Sequence, residues 1–149
     1  MTKALKMMAQ NLEDMSVLSS LCQDALISVA DISYSQEQKS FVAVLNRFCW
    51  DQVQEGDRDY FRSHSGLRFD NVTAVAYKGL SKQNTDQILS LLTIAFAPDK
   101  DDQLDGAGFV MLQFADDKAI RLTVSNVSAV IEDLGERWGT AWLPGHENT

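Results

Sequence analysis

The sequence predicts an α+β domain that is predominantly antiparallel β, with one N-terminal helix and about seven strands. Three observations carry that expectation. A single stretch, residues 11–25, has helical periodicity. From Leu26 onward apolar residues alternate or run in short blocks separated by turn formers. The connections are mostly of hairpin length, which enforces antiparallel pairing, because parallel strands need crossovers of about a dozen residues or more.

The elements follow in order. Leu5 and Met7 alternate with Lys6 and Met8, which suits an edge strand. Asn11 is placed to cap a helix, with Glu13 and Asp14 in the first turn where the helix dipole favours negative charge. Leu12, Met15, Leu18, Cys22 and Ala25 then recur at three- and four-residue steps as one apolar stripe. Residues 26–34, a polar turn at 35–39 and residues 40–50 read as a hairpin, with residues 41–45 apolar on both faces. Residues 51–66 are polar and charged and read as a long surface loop. Alternation returns over 67–80 as one strand. A turn at 81–86 leads to a strand over 88–96, where Thr93-Ile94-Ala95-Phe96 favours strand over helix.

An acidic loop at 98–108 precedes a strand at 109–114. The turn Asp116-Asp117-Lys118 joins that strand to another at 119–125. A last strand spans about 127–131, with Asp133-Leu134-Gly135 as its terminator. Gly139 and Pro144-Gly145 oppose any long C-terminal helix, and a flexible tail is expected from about 144. The runs at 41–45 and 89–96 are apolar on both faces, which a single open sheet does not satisfy. They predict a rolled sheet (a pleckstrin-like roll is one form), a closed barrel or two packed sheets, with the helix over one face or end.

The chain of 149 residues is long enough for one domain, 1–149, with its own core. Its 13 Lys+Arg against 21 Asp+Glu give a net charge of -8, which argues against nucleic acid and anionic membrane as partners. Lys6 interrupts the only candidate signal-peptide run, and no window approaches the roughly 18 apolar residues of a membrane span. A cytoplasmic address is expected. Cys22 and Cys49 then lie in a reducing compartment and read as inert packing residues.

Chemical motifs are sparse. Asp101, Gln103, Asp105 and Gly106 mimic the start of an EF-hand loop, but the twelfth position, which needs a bidentate acid, is Leu112. A solvated hairpin loop is the better reading, and no metal site is expected. His64 and His146 are the only histidines. They occur in no zinc-ligand spacing, and there is no phosphate-cradling Gly-rich loop and no Gly-x-Ser-x-Gly elbow. No cofactor is implied. The segment Asn46-Arg47-Phe48-Cys49-Trp50 is more informative. It sets a guanidinium beside amide and indole donors at a strand end, a combination that holds a carboxylate or phosphate. The alternative is that Arg47 pairs with an acid of its own domain while Trp50 fills the end of the sheet. Trp138 and Trp142, with Leu143, form a second aromatic cluster that either plugs the sheet or serves a homo-oligomer interface.

Four segments resemble an uncharacterised bacterial family, domain of unknown function 2948. They are Leu21-Cys22-Gln23-Asp24-Ala25, Val44-Leu45-Asn46-Arg47-Phe48-Cys49-Trp50, Ala119-Ile120-Arg121-Leu122 and Ile131-Glu132-Asp133-Leu134-Gly135. The resemblance covers about residues 5–138. It implies a cytoplasmic bacterial setting and brings no assigned activity. Cys49 stands where the family pattern suggests a polar residue, which makes it a poor candidate nucleophile.

Two functional readings follow. The first is a non-catalytic binding or protein-interaction module, from the absence of catalytic signatures and the presence of aromatic and arginine patches. The second is a small enzyme or small-molecule binder that holds an anionic ligand near Arg47. Its site would use Gln23, Asp24, Asn46, Arg47, Trp50 and Arg121 around one end of the sheet. The two are separated by whether Arg47 and Asp24 point into a shared cavity or Arg47 lies against a carboxylate of the same chain.

Overall fold

The computed structural model describes residues 5–50, 60–81, 83–99 and 107–140, with the backbone alone at 136–138 and 140. Its elements are β1 (Lys6–Ala9), α1 (Leu12–Cys22), β2 (Leu26–Ser35), β3 (Ser40–Phe48), β4 (Tyr60–Phe69), β5 (Val72–Lys78), β6 (Ile88–Pro98), β7 (Gly108–Phe114), β8 (Lys118–Val124) and β9 (Ala129–Thr140).

The helix begins as its sequence dictates. Asn11 has extended backbone, and its Oδ1 accepts the Asp14 N–H at 2.8 Å, satisfying one of the donors a helix start leaves free. Met15, Leu18 and Cys22 are buried on the stripe, while Leu12, at the first helical position, is 55 % exposed. The helix packs chiefly on β6, with lesser contact to β1 and β3. Ser19 Oγ accepts the Ile94 N–H at 2.9 Å, close to where β6 slips register against β7.

The strands form a single nine-stranded antiparallel sheet in the order β1-β9-β4-β3-β2-β6-β7-β8-β5, neither closed nor strongly curled. This corrects the expected roll, barrel or sandwich. The expectation rested on runs apolar on both faces, yet burial in those runs alternates. Phe41, Ala43 and Leu45 are fully buried, whereas Val42 and Val44 are only half-buried. In β6, Leu89, Leu91 and Ile94 are buried while Ile88 is 65 % exposed. One face, the inner one, therefore carries the core beneath α1, and the outer face leaves apolar side chains partly in water. A single hydrophobic cluster joins α1 to strands from both halves of the sheet, including Phe41, Phe69, Phe114 and Leu122. Each such large side chain contributes about 1.5–3 kcal/mol by leaving water.

Three expected boundaries also change. Strand β4 starts at Tyr60, inside the stretch read as loop. The span 67–80 breaks at Asn71, whose φ of 59° is a left-handed conformation that Asn tolerates. The two pieces part company there: β4 pairs with β3 and β9, and β5 pairs with β8 at the sheet edge. Strand β9 runs on to Thr140, through Gly135 at φ +75°, where a terminator was expected. The Asp116-Asp117 turn forms as read, both residues having positive φ as a tight hairpin turn requires. Of the acidic loop read at 98–108, Pro98 ends β6 and Gly108 begins β7, while residues 100–106 lie outside the described residues, as do residues 51–59 and the tail from 144.

Candidate functional site

One end of the sheet gathers most of the residues the sequence singled out, but it sorts them onto opposite faces. Along β3, Arg47 follows Phe41, Ala43 and Leu45 on the inner face, and strand alternation fixes it there. Its side chain is completely buried. Arg47 Nη2 donates to both Asp133 oxygens, at 3.0 and 3.1 Å, and Nε donates to Asp133 Oδ1 and Ser65 Oγ, each at 3.3 Å. Nη1 reaches the Phe48 carbonyl at 3.4 Å. The Asp133 side chain is 5 % exposed and is itself saturated: Ser65 Oγ donates to Oδ1 at 2.6 Å, and the Leu5 N–H donates to Oδ2 at 2.9 Å. Ser63 and Ser65 are buried beside this pair. Cys22, at the end of α1, feels the Arg47 charge as well. Burial pushes its thiol up to about 12, and the guanidinium opposes that rise only in part.

The outer face of the same strands holds a groove of about 490 Å³ lined by Leu26, Ser28, Asp31, Val44, Asn46, His64, Ile88 and Leu134. The register explains its composition. Leu134 sits opposite His64, His64 opposite Asn46, and Asn46 opposite Leu26, so one straight row crosses β9, β4, β3 and β2. The next row carries Gly66 opposite Val44, and Ser28 opposite Ile88. Gly66 has no side chain to fill its place, and Leu134 leans over it, 3.6 Å from where a Cβ would stand. Asp31 comes from the irregular part of β2, between Ile27 and Ile32, where pairing with β3 slips.

Beside the groove lies a corner built from the end of α1 and the β3–β4 ends. Trp50 stacks edge-on against Phe48 at 4.5 Å and donates its indole N–H to the Gln23 carbonyl at 2.7 Å. Asp24 carries the chain out of α1 with φ 63°. Arg62, opposite Phe48 on β4, lies over the Phe48 ring at 5.8 Å. Its Nη1 donates to the Asn46 carbonyl at 3.3 Å and to Asn46 Oδ1 at 3.0 Å. Burial lowers the Arg62 pKa from its ordinary value, while Asp24 and Cys49 pull it back up.

Of the residues proposed from sequence, Gln23, Asp24, Asn46 and Trp50 thus meet at this end, with Arg47 beneath them on the other face. Arg121 does not join them; it lies on β8 over the Phe109 ring at 5.2 Å. Trp138 stands opposite Arg62 in β9 by backbone register, and Trp142 lies outside the described residues. Sequence reasoning missed Arg62, His64, Asp133 and Leu134. The first two were absorbed into a supposed loop, and the last two into a supposed strand terminator. Among the described residues, no cluster of His, Cys, Asp and Glu could hold a metal ion.

No curated protein and no solved structure matches the chain. A family model does, over residues 5–146, and its description is "Protein of unknown function (DUF2948)". The match spans nearly the whole sequence, including both strands that hold the Arg47–Asp133 pair and all the strands that line the groove, and the chain belongs to the DUF2948 family.

Proposed function

We propose that this protein is a non-catalytic binding module whose working surface is the outer-face groove. The observation that supports this reading is the groove's apolar wall. Leu26, Ile88 and Leu134 line it while 38 %, 65 % and 45 % exposed, with Val44 between them. Contiguous apolar surface left in water is the usual mark of an interaction site. The rival reading, an anionic ligand on Arg47, loses its cation. Asp133 already supplies the anion, and a ligand would have to displace a buried, saturated carboxylate. Arg47 and Asp24 do not line the groove.

The test is a backbone-amide NMR titration of the full chain with neutral aliphatic fragments such as 1-octanol. Shifts are expected to concentrate at Leu26, Val44, Asn46, His64, Ile88 and Leu134. Ile88→Asp and Leu134→Asp should abolish them. Fragments that bind elsewhere, or nowhere, would remove this surface from consideration.

A further inference from the structure

The groove has an electrical polarity that narrows its ligand. Asn46 joins the groove to a cation, because it both lines the groove and holds Arg62 through Oδ1. Arg62 stands on the outer face two residues from His64, as strand alternation requires. Its guanidinium is half-buried against Phe48, and its hydrogen bonds among the described residues go to neutral oxygens only. Nε and Nη2 make no hydrogen bond or ion pair among those residues. Asp24 attracts it from a distance without forming an ion pair among the described residues. A guanidinium that has lost part of its hydration and has gained no carboxylate is one an incoming anion stabilises.

Arg62 does not itself line the groove but lies just past it, 3.0 Å from Asn46 Oδ1, and the acid that does line the groove, Asp31, has the opposite sign. Asp31 is exposed and lines the groove near Val44, four residues along β3 from Phe48, the partner of Arg62. At about 3.3 Å per residue, that separates the two ends by roughly 13 Å along the strand. Between them lie Leu26, Val44, Ile88 and Leu134. We propose that the groove binds a free aliphatic carboxylate, its hydrocarbon on this apolar wall and its acid group on Arg62. Asp31 repels the acid from the far end and so fixes the orientation. This assignment rests on the groove being the binding surface and adds the ligand's chemical class.

The test compares octanoate, 1-octanol and octylammonium by isothermal titration of the full chain, with amide NMR to locate each. Octanoate is expected to bind about tenfold more tightly than 1-octanol, the scale of one charge-assisted hydrogen bond. Arg62→Gln should erase that preference and leave 1-octanol unchanged, while Asp24→Asn should strengthen octanoate by removing a competing charge. Salt should weaken octanoate and not 1-octanol. If Arg62→Gln fails to fold, the wild-type preference, its salt dependence and Asp24→Asn still decide the matter. Equal binding of octanoate and 1-octanol, or a preference for octylammonium, overturns the carboxylate assignment and leaves the groove standing. Failure of all three ligands overturns the groove reading and this assignment together.

Discussion

Arg47 and Arg62 lie on neighbouring strands at the same end of the sheet, and they are opposite in every physical respect. Arg47 faces inward, is fully buried, and is matched by a carboxylate and a serine hydroxyl. Arg62 faces outward, is half-buried on an aromatic ring, and has neutral partners among the described residues. The sequence motif drew attention to Arg47 because it sits beside Asn46, Phe48 and Trp50. Strand alternation, which turns one of two adjacent residues away from the other, put Asn46 on the outer face and Arg47 beneath it. A conspicuous arginine is therefore scaffold, while the less conspicuous one, opposite the next residue along the strand, keeps part of its guanidinium in water.

The contrast breaks most visibly if Asp133 is removed. Asp133→Leu takes the bidentate carboxylate away from the fully buried Arg47 guanidinium, which should cost about 3–5 kcal/mol. Adding Arg47→Met should recover much of that loss, since the buried charge that Asp133 matched is gone. Recovery will be incomplete because the Leu5 N–H and Ser65 hydroxyl also lose their acceptor. Urea unfolding of the single and double variants measures both effects. A single-variant cost near zero would mean the pair behaves as a surface ion pair.

The two faces can be compared without touching a charge. Leu45 and Leu134 are both leucines in the same part of the sheet, one fully buried and one 45 % exposed. Leu45→Ala should cost about 2–5 kcal/mol through lost burial and the cavity left behind. Leu134→Ala should cost under about 1 kcal/mol while weakening ligand binding in the groove. Equal destabilisation would show that the outer face is packed as a second core.

Those same serines and acids explain what the sequence disclosed and what it hid. The helix was legible because Asn11, Met15, Leu18 and Cys22 satisfy capping and periodicity together. The Asp116-Asp117 turn was legible because its residue types tolerate positive φ. Strand β4 was not, because Ser63 and Ser65 occupy core-face positions where apolar residues would have revealed the alternation that Leu67 and Phe69 continue. Ser65 hydrogen-bonds both Arg47 and Asp133, and Ser63 stands opposite Arg47 in register with its hydroxyl on the His64 carbonyl. Strand β9 was hidden in the same way: Asp133 reads as polar punctuation, and Gly135 as a stop. A buried polar network thus erased the pattern of the strands that build it. The open sheet was missed for a converse reason. Val44, Leu26 and Ile88 look like core residues by type, and only their burial shows that the outer face leaves them partly in water.

Cys22 sharpens the picture of the inner face through its pH response. Burial pushes its thiol up to about 12 in the folded chain, from an ordinary value of 9.0. The unfolded chain therefore releases this proton first, and the contribution to stability is intact below about pH 9 and lost between about 9 and 12. Between those values stability should fall by up to about 1.4 kcal/mol per pH unit from this group alone. Cys22→Ala should flatten that limb relative to wild type when stability is measured from pH 8.5 to about 10.5. Parallel curves would show that water reaches the thiol and that the Arg47 pocket is wetter than its burial indicates.

The smallest expected effect is the one that separates the two arginines most directly. Arg62→Gln removes a cation–π contact and hydrogen bonds to neutral oxygens at a half-exposed site, but it also removes a partly desolvated charge. These terms oppose one another, so the net cost should stay under about 1 kcal/mol. Arg47→Gln, by contrast, strands the buried Asp133 carboxylate and should approach the cost of losing Asp133 itself. Urea midpoints of the two variants, measured side by side, give the difference. If Arg62→Gln proves as costly as Arg47→Gln, Arg62 is a structural cation, and the charge available to a ligand at this end of the groove disappears with that result.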